Sequence, residues 1–267
     1  MATMVETERP AAAPARLRRV RTFLELNRSA SQRFARVLPQ ARWSIGDLYN
    51  ATVAERMKEG GVFVDVGGGK RCSYARQRPP ATDVKIVAVD VSAEAMLGNA
   101  DADETRVADV VRDGLPFGDR EVDVVSSRSV LEHLSDVEAL AADSARVLKP
   151  GGYSIHLFPG RRGAFAVLNR ILPNRVAKSI LFSLRPACVG IGGFPAMYNR
   201  CTYREMKRAF ERSGHEVLEL RPSYFGAQYF EFFFPLFVLV SAYEGACSLL
   251  HAKSLAPRLL LVARKRG

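Results

Sequence analysis

A run of β-branched residues that stops in glycine constrains this chain more than any other feature. In Val62-Phe63-Val64-Asp65-Val66-Gly67-Gly68-Gly69-Lys70 an apolar segment passes straight into three glycines. Branched Cβ atoms favour extended backbone. Glycine tolerates positive φ and lets backbone N–H groups approach a ligand closely. The pair reads as a buried strand that turns sharply at its carboxyl end. Taken alone, such a turn is equally compatible with a tight connection that holds nothing.

Segments of the same kind recur. Gly61–Val66, Val84–Asp90, Thr105–Ala108, Val122–Ser127, Tyr153–Phe158, Val217–Leu220 and Arg258–Ala263 read as seven strands. Between them, Ser92–Gly98, Leu131–Leu148 and Thr202–Gly214 read as helices. Lys149-Pro150-Gly151-Gly152 ends the second of these, and Thr202 with Glu205 makes a capping box for the third. The alternation implies an α/β fold: a Rossmann-like, seven-stranded, mainly parallel sheet with helices on both faces. Ligands of such sheets bind at the carboxyl ends of the strands.

The 267 residues suit one decorated domain. The expected division is a tail over 1–15, rich in Ala, Pro and Arg, then a single domain over 16–267. Within it, 16–58 carries N-terminal helices, and 159–201 and 222–255 are insertions. Residues 1–21 lack the apolar core of a secretory signal. The four cysteines form no CxxC pair, so no metal site and no disulfide framework is expected, in keeping with a cytoplasmic chain.

Asp90 ends the second strand, 25 residues after Asp65. A carboxylate there accepts hydrogen bonds from ribose hydroxyls, in NAD folds and in others. The glycines are not spaced GxGxxG, because Cys72 stands where the third dinucleotide glycine would be. Ala108-Asp109-Val110 precedes Leu115-Pro116-Phe117, and Leu148-Lys149-Pro150-Gly151-Gly152 precedes the fifth strand.

With VDVGGG, AVDVS, ADV, LPF, SVLEHL and LKPGG in this order, the chain resembles the class I S-adenosylmethionine-dependent methyltransferases. It looks most like the bacterial group that includes the quinone-biosynthesis enzymes, over about Gly60 to Tyr153. The resemblance implies S-adenosyl-L-methionine as cofactor. It implies that Asp65 orients the methionine amino group, directly or through water, with Gly67 and Gly69 beneath it. Asp90 would bind the ribose and Val91 would lie against the adenine. Asp109 would accept from the adenine amino group, Val110 would cover the other ring face, and Ser127 would lie near the methionine part. Arg71 departs from the family pattern, which has a small residue there.

Methyl transfer needs proximity and orientation above all, and an oxygen acceptor of high pKa also needs a base. His133, in SVLEHL just beyond the fourth strand, is the candidate catalytic base. His156 lies inside the fifth strand, and Glu132-His133 has a structural reading as well. Ser126-Ser127-Arg128-Ser129 is not the (N/D)PP(Y/F) motif of enzymes that methylate adenine or cytosine amino groups.

The formal charge of +11 predicts an anionic partner. From Ser144 to Arg204 there is no acidic residue and there are ten basic ones. Over Arg161–Arg185 they alternate with large aliphatics, which reads as a membrane-surface element. In the second insertion, the uncharged run Phe232–Tyr243 is too short to span a bilayer. Ser241, Glu244, Ser248 and His251 form one polar stripe at helical spacing, which favours a helix lying on a surface over one that crosses a bilayer. The two insertions are expected to roof the site.

The expected function is transfer of a methyl group to oxygen or carbon of a hydrophobic or lipid-linked small molecule. A peripheral seat at an anionic membrane surface is one reading of the roof; an ordinary lid and an oligomer contact are the others. An RNA methyltransferase is suggested only by the basic pI, and interleaved aliphatics speak against nucleic acid. A nucleotide-binding protein of the same fold without methyl transfer is the remaining alternative.

Overall fold

The computed structural model describes residues 15–80, 82–172 and 195–267. Helix α1 (Ala15–Ala35) and helix α2 (Ile45–Met57) precede the sheet. Strands β1 (Gly61–Val66) and β2 (Val84–Asp90) follow, then a one-turn helix α3 (Ala93–Met96) and strand β3 (Glu104–Val107). Next come β4 (Val122–Arg128), α4 (Val137–Val147), β5 (Leu148–Pro159) and α5 (Ala164–Ile171). The chain closes with α6 (Tyr203–Arg212), β6 (His215–Ser223), α7 (Phe234–Leu249) and β7 (Arg258–Lys265).

The seven strands form one sheet in the order β3-β2-β1-β4-β5-β7-β6. Strand β7 runs antiparallel to both neighbours, and the other pairs are parallel. The order reverses between β1 and β4, the topological switch where ligands of such sheets bind. Alternation along β1 assigns its side chains to two layers. Val64 and Val66 join the core under α4 and α6, and Phe63 joins Tyr49, Val53 and Met57 of α2 on the other face. Full burial of each such aliphatic side chain contributes about 1.5–3 kcal/mol.

One expectation is corrected locally. The helix expected over Leu131–Leu148 is two elements: a 3-10 turn at Leu131–His133, then α4. Asp136 breaks it by capping α4, its side chain accepting from the Glu138 and Ala139 N–H groups. In the second insertion Ser241 and Glu244 of the polar stripe face inward, while His251 at its end is exposed. Ser241 and Glu244 are each 1% exposed, while Leu239 on the opposite side is 67% exposed. The buried side packs on α1 and α5 through Phe34, Phe165, Phe230 and Phe237.

Thr202 does cap α6, and its hydroxyl donates to the Glu205 carboxylate at 2.6 Å. Part of the basic run between Ser144 and Arg204 serves the fold. Arg146 ties Asp143 to the Leu115 and Phe117 carbonyls, and Lys149 pairs with Asp123. Residues 1–14 of the expected tail and 173–185 of the expected membrane-surface stretch lie outside the described residues.

Candidate cofactor site

The glycine turn leaves β1 at the switch point and is held down on β2. The N–H groups of Gly67 and Gly68 both donate to the Val89 carbonyl, at 2.7 and 3.3 Å. Gly67 has φ +70°, and a Cβ there would lie 2.3 Å from Val130 Cγ2. A Cβ on Gly68 would lie 2.6 Å from the Ala88 Cβ. Gly69 differs: at φ +41° its added Cβ would meet nothing nearer than 3.9 Å. The first two glycines let the turn pack, and the third leaves open space beside it. Asn99 fastens the turn, its Nδ2 donating to the Gly69 carbonyl at 2.8 Å.

That space belongs to a cavity of about 470 Å³ at the carboxyl edge of the sheet. Gly67, Gly69, Asp90, Val91, Asp109, Val110 and His133 all line it. Asp90 Oδ2 accepts from the Gly69 N–H and Oδ1 from the Ser92 N–H. A carboxylate has about four acceptor sites, so ribose hydroxyls can still be met. Val91, 53% exposed, offers an apolar platform, and Val110 a second one. Asp109 Oδ1 accepts from the Val111 and Arg112 N–H groups, which fixes the carboxylate at the rim.

Two expected residues are not in the cavity. Ser127 is fully buried and its Oγ lies 2.8 Å from His156 Nδ1, in the seam between β4 and β5. Ser129, two residues on, lines the cavity instead, held at φ +59° with its N–H on the Leu157 carbonyl. Asp65 lies on the α2 face of β1, beneath the turn, with Tyr49, Tyr74 and Cys72 around it. Burial pushes its pKa to about 7, against the pull of the Cys72 thiol and of Arg128. Lys70, Val130, Pro195 and Met197 line the cavity without having been expected. The ends of β1 and β4 were a signal for Lys70, Ser129 and Val130; no motif marks Pro195 or Met197.

His133 lines the cavity together with Val130 and Leu134. Its Nδ1 lies 3.1 Å from the Pro195 carbonyl, which only accepts, so Nδ1 carries the proton and Nε2 is the basic nitrogen. Glu132 Oε1 lies 3.8 Å from that Nε2. Glu132 is 5% exposed, and burial pushes its pKa to about 8. The Glu132 carbonyl accepts the N–H groups of Met197 and Tyr198, fixing that part of the lining. Among the described residues no cluster of His, Cys, Asp or Glu has the arrangement of a metal site.

An open glycine, an acceptor carboxylate, an apolar platform and a second carboxylate all line this one cavity. Its volume is within the range of about 300–1,000 Å³ usual for small-molecule sites. A family model described as methyltransferase domain matches residues 64–156. An uncharacterized methyltransferase of Mycolicibacterium vanbaalenii is 31% identical over 145 residues, covering 53% of this chain and 56% of the relative. The chain thus spans about half the length of that curated relative.

Among solved structures, the [4+2]-cyclase SpnF superposes with a TM-score of 0.51 at 20% identity, over 82% of this chain and 80% of that one. Geranyl diphosphate C-methyltransferase from Streptomyces coelicolor does so with 0.51 at 14% identity, over 82% and 76%. At these identities the two establish the fold alone. Residues 64–156 thus match a methyltransferase domain, set in a seven-stranded sheet whose cavity lies at the switch point.

Proposed function

We propose that the protein transfers a methyl group from S-adenosylmethionine to an oxygen or carbon of a hydrophobic small molecule. The observation that carries the proposal is the lining of one cavity, in which Gly69, Asp90, Val91 and Asp109 suit a nucleoside and Val130, Leu134, Pro195 and Met197 add apolar surface beside His133. The bound cofactor supplies an electrophilic sulfonium methyl group for in-line displacement.

The residues of this chain orient and shield. Asp90 and Asp109 hold the two ends of the nucleoside, and the apolar wall excludes water from the acceptor. For an oxygen acceptor, His133 Nε2 takes the proton, and the Pro195 carbonyl holds the ring in that tautomer. The apolar wall supports a hydrophobic acceptor. The fold admits such acceptors, as the geranyl diphosphate C-methyltransferase illustrates.

Calorimetry with S-adenosylmethionine, S-adenosylhomocysteine and NAD tests the cofactor, and binding of NAD alone would refute the proposal. Mass spectrometry of copurifying small molecules identifies the acceptor. With that acceptor, His133→Ala should retain cofactor binding and lose about 10²–10⁴ in turnover if oxygen is methylated. Unchanged turnover would leave a carbon acceptor that needs no base.

A further inference from the structure

The outward side of α7 is built the wrong way round for a helix facing water. Pro235, Leu239, Ala242, Tyr243, Ala246 and Leu249 recur every three or four residues and form one exposed stripe. Leu249 is 83% exposed. A surface helix ordinarily turns its polar residues outward; here Ser241 and Glu244 are the buried ones. Hydrogen bonds lock this orientation. Glu244 Oε2 accepts the Gly226 and Ala227 N–H groups at 2.9 and 3.0 Å, and Gln40 Nε2 donates to the Ser241 carbonyl at 3.0 Å.

The helices packed beside α7 repeat the pattern with arginine added. Helix α5 joins α7 in one apolar cluster and exposes Val167, Leu168 and Ile171 together with Arg170, and Arg162 is exposed in the turn before it. Helix α1 packs Phe34 against α7, and its N-terminal half exposes Val20 and Phe23 together with Arg19. Acidic groups are few and engaged: Glu25 pairs with Arg21, Glu244 is buried, and Glu231 receives Gln32. The result is an apolar centre with a cationic margin.

We propose that this face seats the protein on an anionic lipid bilayer as a peripheral contact. Such a face buries its side chains a few ångströms into the headgroup boundary, and arginines at the margin meet the negative surface. No helix among the described residues is long and apolar enough to cross a membrane. A second copy of the chain fits the face less well, because it would bring arginine against arginine. The proposal stands on this surface and not on the chemistry of the cavity.

The test sediments the full chain with phosphatidylcholine vesicles and with vesicles that also contain phosphatidylglycerol. Wild type is expected to pellet with the anionic vesicles at low salt and to be released by high salt. Leu239→Glu with Leu249→Glu should weaken binding about tenfold or more, and Arg162→Ala with Arg170→Ala should flatten the salt dependence. Wild type left in the supernatant with anionic vesicles at low salt overturns the proposal. A Leu239→Glu, Leu249→Glu protein that pellets like wild type does the same. So does a lipid-free dimer that this double variant splits, which would assign the face to a second copy. Calorimetry with S-adenosylhomocysteine on the same preparations verifies that each variant is folded, and it reports on the cofactor reading separately from the lipid result.

Discussion

Asp90 closes the glycine turn that it faces: its Oδ2 accepts the Gly69 N–H at 3.2 Å. The same carboxylate lines the cavity, so it orders the turn and presents acceptors to the ligand. Asp90→Ala should weaken S-adenosylhomocysteine binding by about 1.5–3 kcal/mol, the scale of hydrogen bonds to a charged group. Calorimetry measures it, and an unchanged dissociation constant would remove the ribose from Asp90.

The glycines of the turn should not respond alike. Gly67→Ala combines a left-handed φ of +70° with a clash at 2.3 Å against Val130. The two effects together should cost about 2–4 kcal/mol of stability. Gly69→Ala meets no neighbour within 3.9 Å and keeps only the backbone cost, about 1 kcal/mol. Its larger effect should be on cofactor affinity, because the methyl group faces the cavity. Urea unfolding with and without S-adenosylhomocysteine separates the two outcomes; equal losses of stability would contradict the assignment.

Two buried histidines should make the fold sensitive to acid. His156 and His215 flank the Phe210 ring, with centroids 5.2 and 5.3 Å away. Burial lowers His156 to about 3, with His215 adding to the effect, and burial lowers His215 to about 4. Both are neutral in the fold, and the unfolded chain takes up protons near pH 6.5. Their contribution is therefore complete above about pH 6.5 and is lost as the pH falls towards 4 and then 3, by about 1.4 kcal/mol per pH unit for each group. Between about pH 7 and about pH 4.5 the urea midpoint of wild type should lose ground against that of His156→Asn, because the variant lacks one of the two imidazoles. A difference between wild type and variant that does not change with pH would show that the imidazole reaches solvent.

Glu244 should act in the opposite direction. Burial raises its pKa to about 7, against the two backbone N–H groups that bind it. A raised folded pKa gives a contribution that is complete below the unfolded value and lost as pH rises through about 7. Glu244→Gln keeps an acceptor for Gly226 and Ala227 and carries no charge. It should match wild type near pH 5 and exceed it by about 2–3 kcal/mol above about pH 8. A variant less stable than wild type at high pH would show that the charged form is well paired.

Much of the cofactor site is local, and to that extent legible in the chain. The glycine turn, Asp90-Val91 and Asp109-Val110 each sit at the end of a strand that its own β-branched residues mark. A parallel sheet gathers such ends at one edge, where the structure has them around a single cavity. Ser127 was misplaced because a strand's last residues point by alternation. The alternation ends at Ser129, whose positive φ no local preference announces. The break before α4 had its signal in Asp136, a good N-cap, which the continuous apolar periodicity around it obscured.

The amino-acid sequence by itself determined the sheet, the glycine turn and the run of residues that becomes α7, because periodicity and turn chemistry act between near neighbours. Which side of α7 meets water was decided only by tertiary structure. The amides of Gly226 and Ala227 need an acceptor once buried, and Glu244 supplies it. Satisfying those two donors turns the polar stripe inward and leaves the apolar stripe outside, a balance between distant segments that no helical wheel contains.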